Sequence, residues 1–188
     1  LYSEEKVAVI FGCWTSVSRK TVLPVLDKTG GLLFYPVQYE GQEQHKRVFY
    51  TGCTPNQQAM PAIDFLISKE GGANTRFYLH GTDYVYPRTT NKVLTAYLQK
   101  KGIRKENIKE SYTPFGHNDF STIIGDAQSF GKGAKTALVS TINGDANLFF
   151  YRDVARLGIS PADLPIMAFS VGEEELRDVD TNSIAGHY

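Results

Sequence analysis

The chain has 188 residues, and its 20 Lys and Arg balance 20 Asp and Glu, so the formal charge at neutral pH is zero. An apolar fraction of 41% with 21% charged residues describes a globular chain able to bury a core. With no basic surplus and no Lys/Arg run, neither nucleic acid nor an anionic membrane surface is indicated as a partner, and no apolar run reaches the roughly 18 residues of a spanning helix.

Taken in order, the sequence alternates short apolar runs with helical patterns. Strands are predicted at 7–12, 32–35, 47–51, 76–79, 108–112, 136–140 and 166–169, with a last short one near Ile184. Helices are predicted at 17–28, 55–69, 87–101, 119–130, 145–157 and 173–179. Strands separated by helices of this length mean βαβ units and mostly parallel sheets. Thr54 followed by Pro55 reads as an N-cap with proline in the first turn, and Gly71-Gly72 as the close of that helix. Leu157-Gly158 ends a later helix in the same way, and Pro24 predicts a kink in the first one. Phe120, Ile123, Ile124, Ala127 and Phe130 fall on one helical face.

The polar, irregular segment 38–46 separates the first two strands from the rest, and the last residues stop where a strand is starting. Both features point to two lobes and to a piece of something longer. The two cysteines, Cys13 and Cys53, stand at predicted strand ends and read as buried free thiols, in no metal-binding spacing. The four histidines are scattered, and no nucleophile elbow, HExxH or GxGxxG follows a strand. Gly131–Thr136 precedes a strand, so it reads as a solvated turn and not a phosphate loop. No cofactor and no metal is expected.

Four strand ends carry polar or aromatic residues that could line a cleft. The first is Cys13-Trp14-Thr15-Ser16, leading into a helix N-terminus where free N–H groups suit a carbonyl oxygen. The second is 31–41, an apolar strand stopped by Pro36 and followed by Gln38, Tyr39 and Glu40, with Tyr35 at its end. The third is 80–87, with Asp83 and the phenols Tyr84 and Tyr86, and the fourth is 141–147, with Asp145. In open α/β sheets, ligands lie beyond the carboxyl ends of the strands.

Four stretches, GCWTSVSRKTVLPVLDKTGGLLFYPVQYEG, TGCTPNQQAMPAIDFLI, GTDYVYPRTTN and STINGDANLFFYRD, cover most of the chain. Together they resemble the urea-binding and short-chain-amide-binding proteins of ABC transporters, a group within the type 1 periplasmic binding fold. The resemblance implies an α/β fold with parallel βαβ sheets in two lobes, the first lobe incomplete. Residues 1–50 would belong to the N-terminal lobe, 51–181 to most of the C-terminal lobe, and 182–188 to the start of a crossing back. It implies a periplasmic or lipid-anchored extracytoplasmic receptor, no enzyme, that captures a small neutral solute for a membrane permease. A cytoplasmic amide-sensing regulator and a branched-chain amino-acid-type receptor are the alternatives. Carried over residue by residue, the ligand site would comprise Trp14, Ser16, Tyr35, Val37, Tyr39 and Tyr84, with Asp83 beside it and Asp145 added on chemical grounds. Ser16 would hold the solute carbonyl, and Trp14 would form a wall. Gln38 and Glu40 are further candidates.

Overall fold

Strand and helix alternate as the hydrophobic pattern requires, and the resulting strands fall into two separate parallel sheets. The computed structural model describes residues 1–188. Strands β1 (Ile10–Phe11), β2 (Leu33–Tyr35) and β3 (Val48–Tyr50) form the first sheet in the order β1-β2-β3. Strands β4 (Arg76–Thr82), β5 (Ile108–Thr113), β6 (Thr136–Thr141) and β7 (Ile166–Ala168) form the second, in the order β5-β4-β6-β7. Every pairing is parallel.

Helix α1 (Ser16–Thr29) follows β1, and α2 (Ala59–Ile67) leads from the first sheet to the second. Helices α3 (Val85–Lys100), α4 (Ser121–Gly131) and α5 (Ala146–Arg156) join the strands of the second sheet. The short α6 (Glu173–Leu176) and α7 (Thr181–Ile184) close the chain.

The second sheet is covered on both faces, as a parallel sheet requires. Alternation along β4 sends Phe77 and Leu79 towards Ile63, Leu66, Leu94 and Leu98 of α2 and α3. Tyr78 points the other way, into a cluster with Ile124, Ala127, Phe150 and Val154 of α4 and α5. Each fully buried Leu, Ile or Phe contributes about 1.5–3 kcal/mol relative to exposure, so this double-sided core dominates the stability. All six residues of β6 are buried, which explains why its sequence is a continuous apolar and small-polar run.

The strand order also places a crevice. From β4 the chain passes to β5 on one side, while β6 lies on the other, so the crossings diverge at the carboxyl ends of β4 and β6. Gly81 makes that junction possible. A Cβ there would sit 2.2 Å from Thr141 Oγ1 and 2.7 Å from Pro87 Cβ. Thr82 Oγ1 then accepts from the Asn143 N–H at 3.0 Å, locking the two strand exits together.

The first sheet is covered by α1 on one face, where Leu33 and Tyr35 meet Leu26. Its other face carries a stacked ladder of Phe11, Phe34 and Phe49, with centroid spacings of 4.7 and 4.6 Å. Phe34 therefore faces outward, because the strand begins at Leu33 and its alternation gives the inner face to Leu33 and Tyr35.

Several local expectations change. The helix predicted from Pro55 starts at Ala59, because the Thr54 hydroxyl is turned towards Asn56 and Gln57 instead of capping, and Gln58 stands at the cap. It ends at Ile67, before Gly71-Gly72. Gly71 serves close packing instead, since a Cβ would lie 2.0 Å from the Phe65 carbonyl oxygen. Near Ile184 there is a helical turn capped by Asp180, not a strand. Residues 182–188 are held on the second sheet: the Tyr188 N–H donates to Ile166 O, and its carbonyl accepts from the Ala168 N–H. Cys53 is exposed rather than buried, and Cys13 is half-buried. Helix α1 runs unbroken through Pro24 and ends at Gly30 with φ +75°. Gly158 ends α5 with φ +62° as expected, and the Phe120–Phe130 face packs into the core.

His80 is fully buried on β4, with Nδ1 2.7 Å from Ser111 Oγ and Nε2 3.3 Å from Thr113 Oγ1. Burial, with a smaller contribution from His117, pushes its pKa down to about 4. The neutral ring is therefore favoured in the folded state. Its contribution is present above about pH 6.5 and is lost as pH falls towards 4. The full loss is about 3 kcal/mol, at 1.36 kcal/mol per unit. Guanidinium unfolding of the full-length protein across this range is expected to show that decline, and His80→Asn to flatten it. A pH slope unchanged by the substitution would assign the effect elsewhere.

Candidate ligand-binding site

At the carboxyl end of β1, Thr15 caps α1 by accepting from the Ser18 N–H at 3.1 Å. The N–H groups of Ser16 and Val17, in the first turn of the helix, have no intrahelical acceptor. One turn further along the buried side of the same helix stands Arg19, fully buried. Its Nη2 donates to Glu40 Oε1 and its Nε to Glu43 Oε1, both at 2.8 Å. Ser16 Oγ donates to Glu40 Oε2 at 2.5 Å and accepts from Arg19 Nη1 at 3.1 Å. Lys20 also donates to Glu43, and the Tyr50 hydroxyl reaches Glu43 Oε1 at 2.7 Å. The guanidinium lies 4.8 Å from the Tyr35 ring centroid and 5.0 Å from that of Tyr39.

This cluster ties α1, the 35–43 segment and β3 into one unit. Burial works against the Arg19 charge, but the hydrogen bonds and fields of Glu43 and Glu40 outweigh it and hold its pKa above the ordinary value. Glu43 is opposed by burial in the same way, yet donors from Arg19, Lys20 and Tyr50 bring it down to about 2.

The facing wall comes from the second sheet. Tyr84, at the start of α3, is half-buried, with its ring 4.9 Å from Phe115 and 6.3 Å from Tyr86. Burial raises the Tyr84 hydroxyl pKa, and the fields of Tyr86, Tyr35 and Glu40 add to it. Tyr86 is pushed up to about 12, mainly by burial. Tyr84 and Tyr86 therefore stand within electrostatic reach of Tyr35 and Glu40, across the gap between the sheets.

A cavity of about 420 Å³ adjoins this gap, lined by Trp14, Phe115, Asn143, Gly144, Asp145 and Glu175 among others. The two walls are tied at one side. Gln38 Nε2 donates to Phe169 O at 3.2 Å and to Ser170 Oγ, and the Tyr39 N–H donates to Cys53 O; within the second wall itself, Gln58 Nε2 also donates to Phe169 O at 3.3 Å. Gly52 permits the close crossing there, since a Cβ would lie 2.0 Å from Val37 O.

The sequence-derived site residues thus divide. Trp14 is half-exposed, and Asp145 is exposed; both line the same cavity. Ser16 is buried, its hydroxyl engaged by Glu40 and Arg19. Tyr35 and Tyr39 are buried around Arg19, the Tyr35 hydroxyl donating to Trp14 O at 2.7 Å. Val37 is half-buried beside Gly52. Asp83 points to Arg88 at 2.5 and 3.0 Å on an exposed surface. Sequence reasoning missed Arg19, Glu43, Tyr50 and Phe115. One signal for Arg19 existed: with Ser16, Leu23 and Leu26 it falls on the inward stripe of α1, where an arginine needs carboxylate partners.

The chain matches the periplasmic binding protein domain family over residues 1–188 and belongs to it. Among solved structures it is similar to an amino acid ABC transporter substrate-binding protein from Pseudomonas fluorescens, at 20% identity and a TM-score of 0.77, over 97% of this chain and 48% of that one. A solute-binding protein from R. palustris in complex with 4-hydroxybenzoate matches at 18% identity and a TM-score of 0.75, over 89% of this chain and 44% of that one. The branched-chain amino acid substrate-binding protein of Streptococcus pneumoniae in complex with isoleucine matches at 16% identity and a TM-score of 0.71, over 97% of this chain and 50% of that one. The chain spans about half the length of these structures. Its α/β fold with parallel sheets is that of type 1 periplasmic binding proteins.

Removing the shared cation is expected to be severe. Arg19→Met leaves Glu40 and Glu43 facing each other in a buried site and should cost about 3–5 kcal/mol. Guanidinium unfolding of the full-length protein measures this. A loss below about 1 kcal/mol would mean the cluster does not hold the first wall together.

Proposed function

We propose that this chain supplies two facing walls of the solute-binding cleft in the receptor of an ABC importer, and that the solute is urea or a short-chain aliphatic amide. Residues 1–50 would form one lobe's wall and residues 51–181 the other's. The receptor would work outside the cytoplasm, and a permease would read hinge closure over the solute. No covalent step is part of this reading.

The observation that carries the solute class is the charge pattern. The cations near the gap are already matched within the chain: Arg19 by Glu40 and Glu43, Lys20 by Glu43, and Arg88 by Asp83. With those cations paired, the first-turn N–H groups of Ser16 and Val17 are the donors left on the first wall, and they suit a carbonyl oxygen. A neutral planar amide needs donors for one carbonyl and acceptors for its N–H groups. The first-turn N–H groups of Ser16 and Val17 supply the former. The Tyr84 oxygen and Asp145 supply the latter, with Trp14 and Tyr84 providing ring faces. Tyr35, Val37 and Tyr39 back this wall, and Asp83 orders the loop that presents Tyr84.

Urea has about four heavy atoms, so binding reaches about −6 kcal/mol at best, a dissociation constant of roughly tens of micromolar. Calorimetric titration of the full-length protein is expected to show saturable binding of urea or acetamide in that range, weakened at least tenfold by Ser16→Ala. Unchanged affinity in that variant would remove the Ser16 hydroxyl from the site and leave only its N–H facing the solute. Saturable binding of isoleucine or 4-hydroxybenzoate with none of urea, acetamide or formamide would overturn the solute class.

A further inference from the structure

We propose that Trp14 and Gly144 form an interlobe latch, in which the indole that offers a ring face to the solute also bears on the opposite wall and holds the cleft shut. Trp14 leaves β1 of the first sheet, and Gly144 leaves β6 of the second. A Cβ built on Gly144 would lie 3.1 Å from Trp14 Cη2 and 3.7 Å from Cζ3, so the tip of the indole fills the space over Gly144 that a side chain would need. The ring is placed from its own side: the Tyr35 hydroxyl donates to the Trp14 carbonyl at 2.7 Å, and Tyr35 is itself buried against Arg19. Gly144 is placed from the other, since its neighbour Asn143 donates its N–H to Thr82 Oγ1 and Gly144 has φ +71°.

Trp14 remains 50% exposed, so the contact is made by the ring tip at the rim of the cavity and is not part of a core. Contacts made only when two lobes approach weight the closed state. Their loss therefore raises the solute off-rate more than it lowers folding stability.

Gly116 provides a matched control. It lines the same cavity with φ +77°, but a Cβ there meets nothing within 4 Å. Gly144→Ala and Gly116→Ala impose the same left-handed backbone strain, and only the first intrudes on the indole. The full-length protein is labelled with 5-fluorotryptophan, and the resonance lost in Trp14→Phe is assigned to position 14. Without any solute, Gly144→Ala is expected to move that ¹⁹F resonance towards the value of a fully solvated indole, and Gly116→Ala to leave it in place. If both variants move it equally, or neither does, the latch is overturned. The affinity arm alone rests on the proposed function. Gly144→Ala should weaken urea binding about tenfold beyond Gly116→Ala, and equal affinities would overturn the latch. Absence of urea binding in the unsubstituted protein would sink the solute reading while the ¹⁹F result still judges the latch.

Discussion

A single buried guanidinium organises the first wall of the cleft. Arg19 sits one helical turn from Ser16, between the Tyr35 and Tyr39 rings, and draws Glu40 and Glu43 onto α1. A charge in such a place is tolerated only when its partners and hydrogen bonds are complete. Here they are supplied by the segment that follows Pro36, which has no ladder of its own to join. The irregular run after β2 is therefore ordered by electrostatics instead of by sheet pairing. The short first sheet gains from the cluster what its few strand residues cannot provide.

The same arrangement shapes the chemistry of the gap. Because the cluster consumes its own charges, it presents a wall that is polar but contains no unmatched cation. The Tyr35 hydroxyl passes this order on to the Trp14 carbonyl, and so to the rim of the cavity. On the opposite wall, order comes from close packing. Gly81 lets β4 and β6 approach at the point where the crossings diverge, and Thr82 fixes the Asn143 loop. One wall is tied by ion pairs and the other by a core, and Gln38 joins them at the Phe169–Ser170 turn.

How much of this could be read from the residues depended on which force set each element. Strands β4 and β6 and helices α3 to α5 were legible because burial on a large sheet imposes clean periodicity. The boundaries that moved were set by side-chain hydrogen bonds. Thr54 turns to Asn56 and Gln57, delaying α2, and Asp180 caps a turn where a strand at Ile184 was expected. The Arg19 cluster was opaque because its partners are 21 and 24 residues away and carry no periodic signal. As a result Tyr35 and Tyr39, read as pocket-facing rings, are largely spent in packing against the guanidinium, while Phe115 stands near Tyr84 without having been singled out. The loops after β1, β4 and β6 were correctly read as strand ends, since a polar run between a strand and a helix is a local property.

The central claim is that two walls close on a small neutral solute. Small-angle X-ray scattering of the full-length protein, with and without saturating acetamide at concentrations far below denaturing ones, tests it most directly. The account predicts a reproducible fall in the radius of gyration as the lobes close, saturating with the amide. A scattering curve that acetamide and urea leave unchanged, and that isoleucine or 4-hydroxybenzoate contracts, would contradict it.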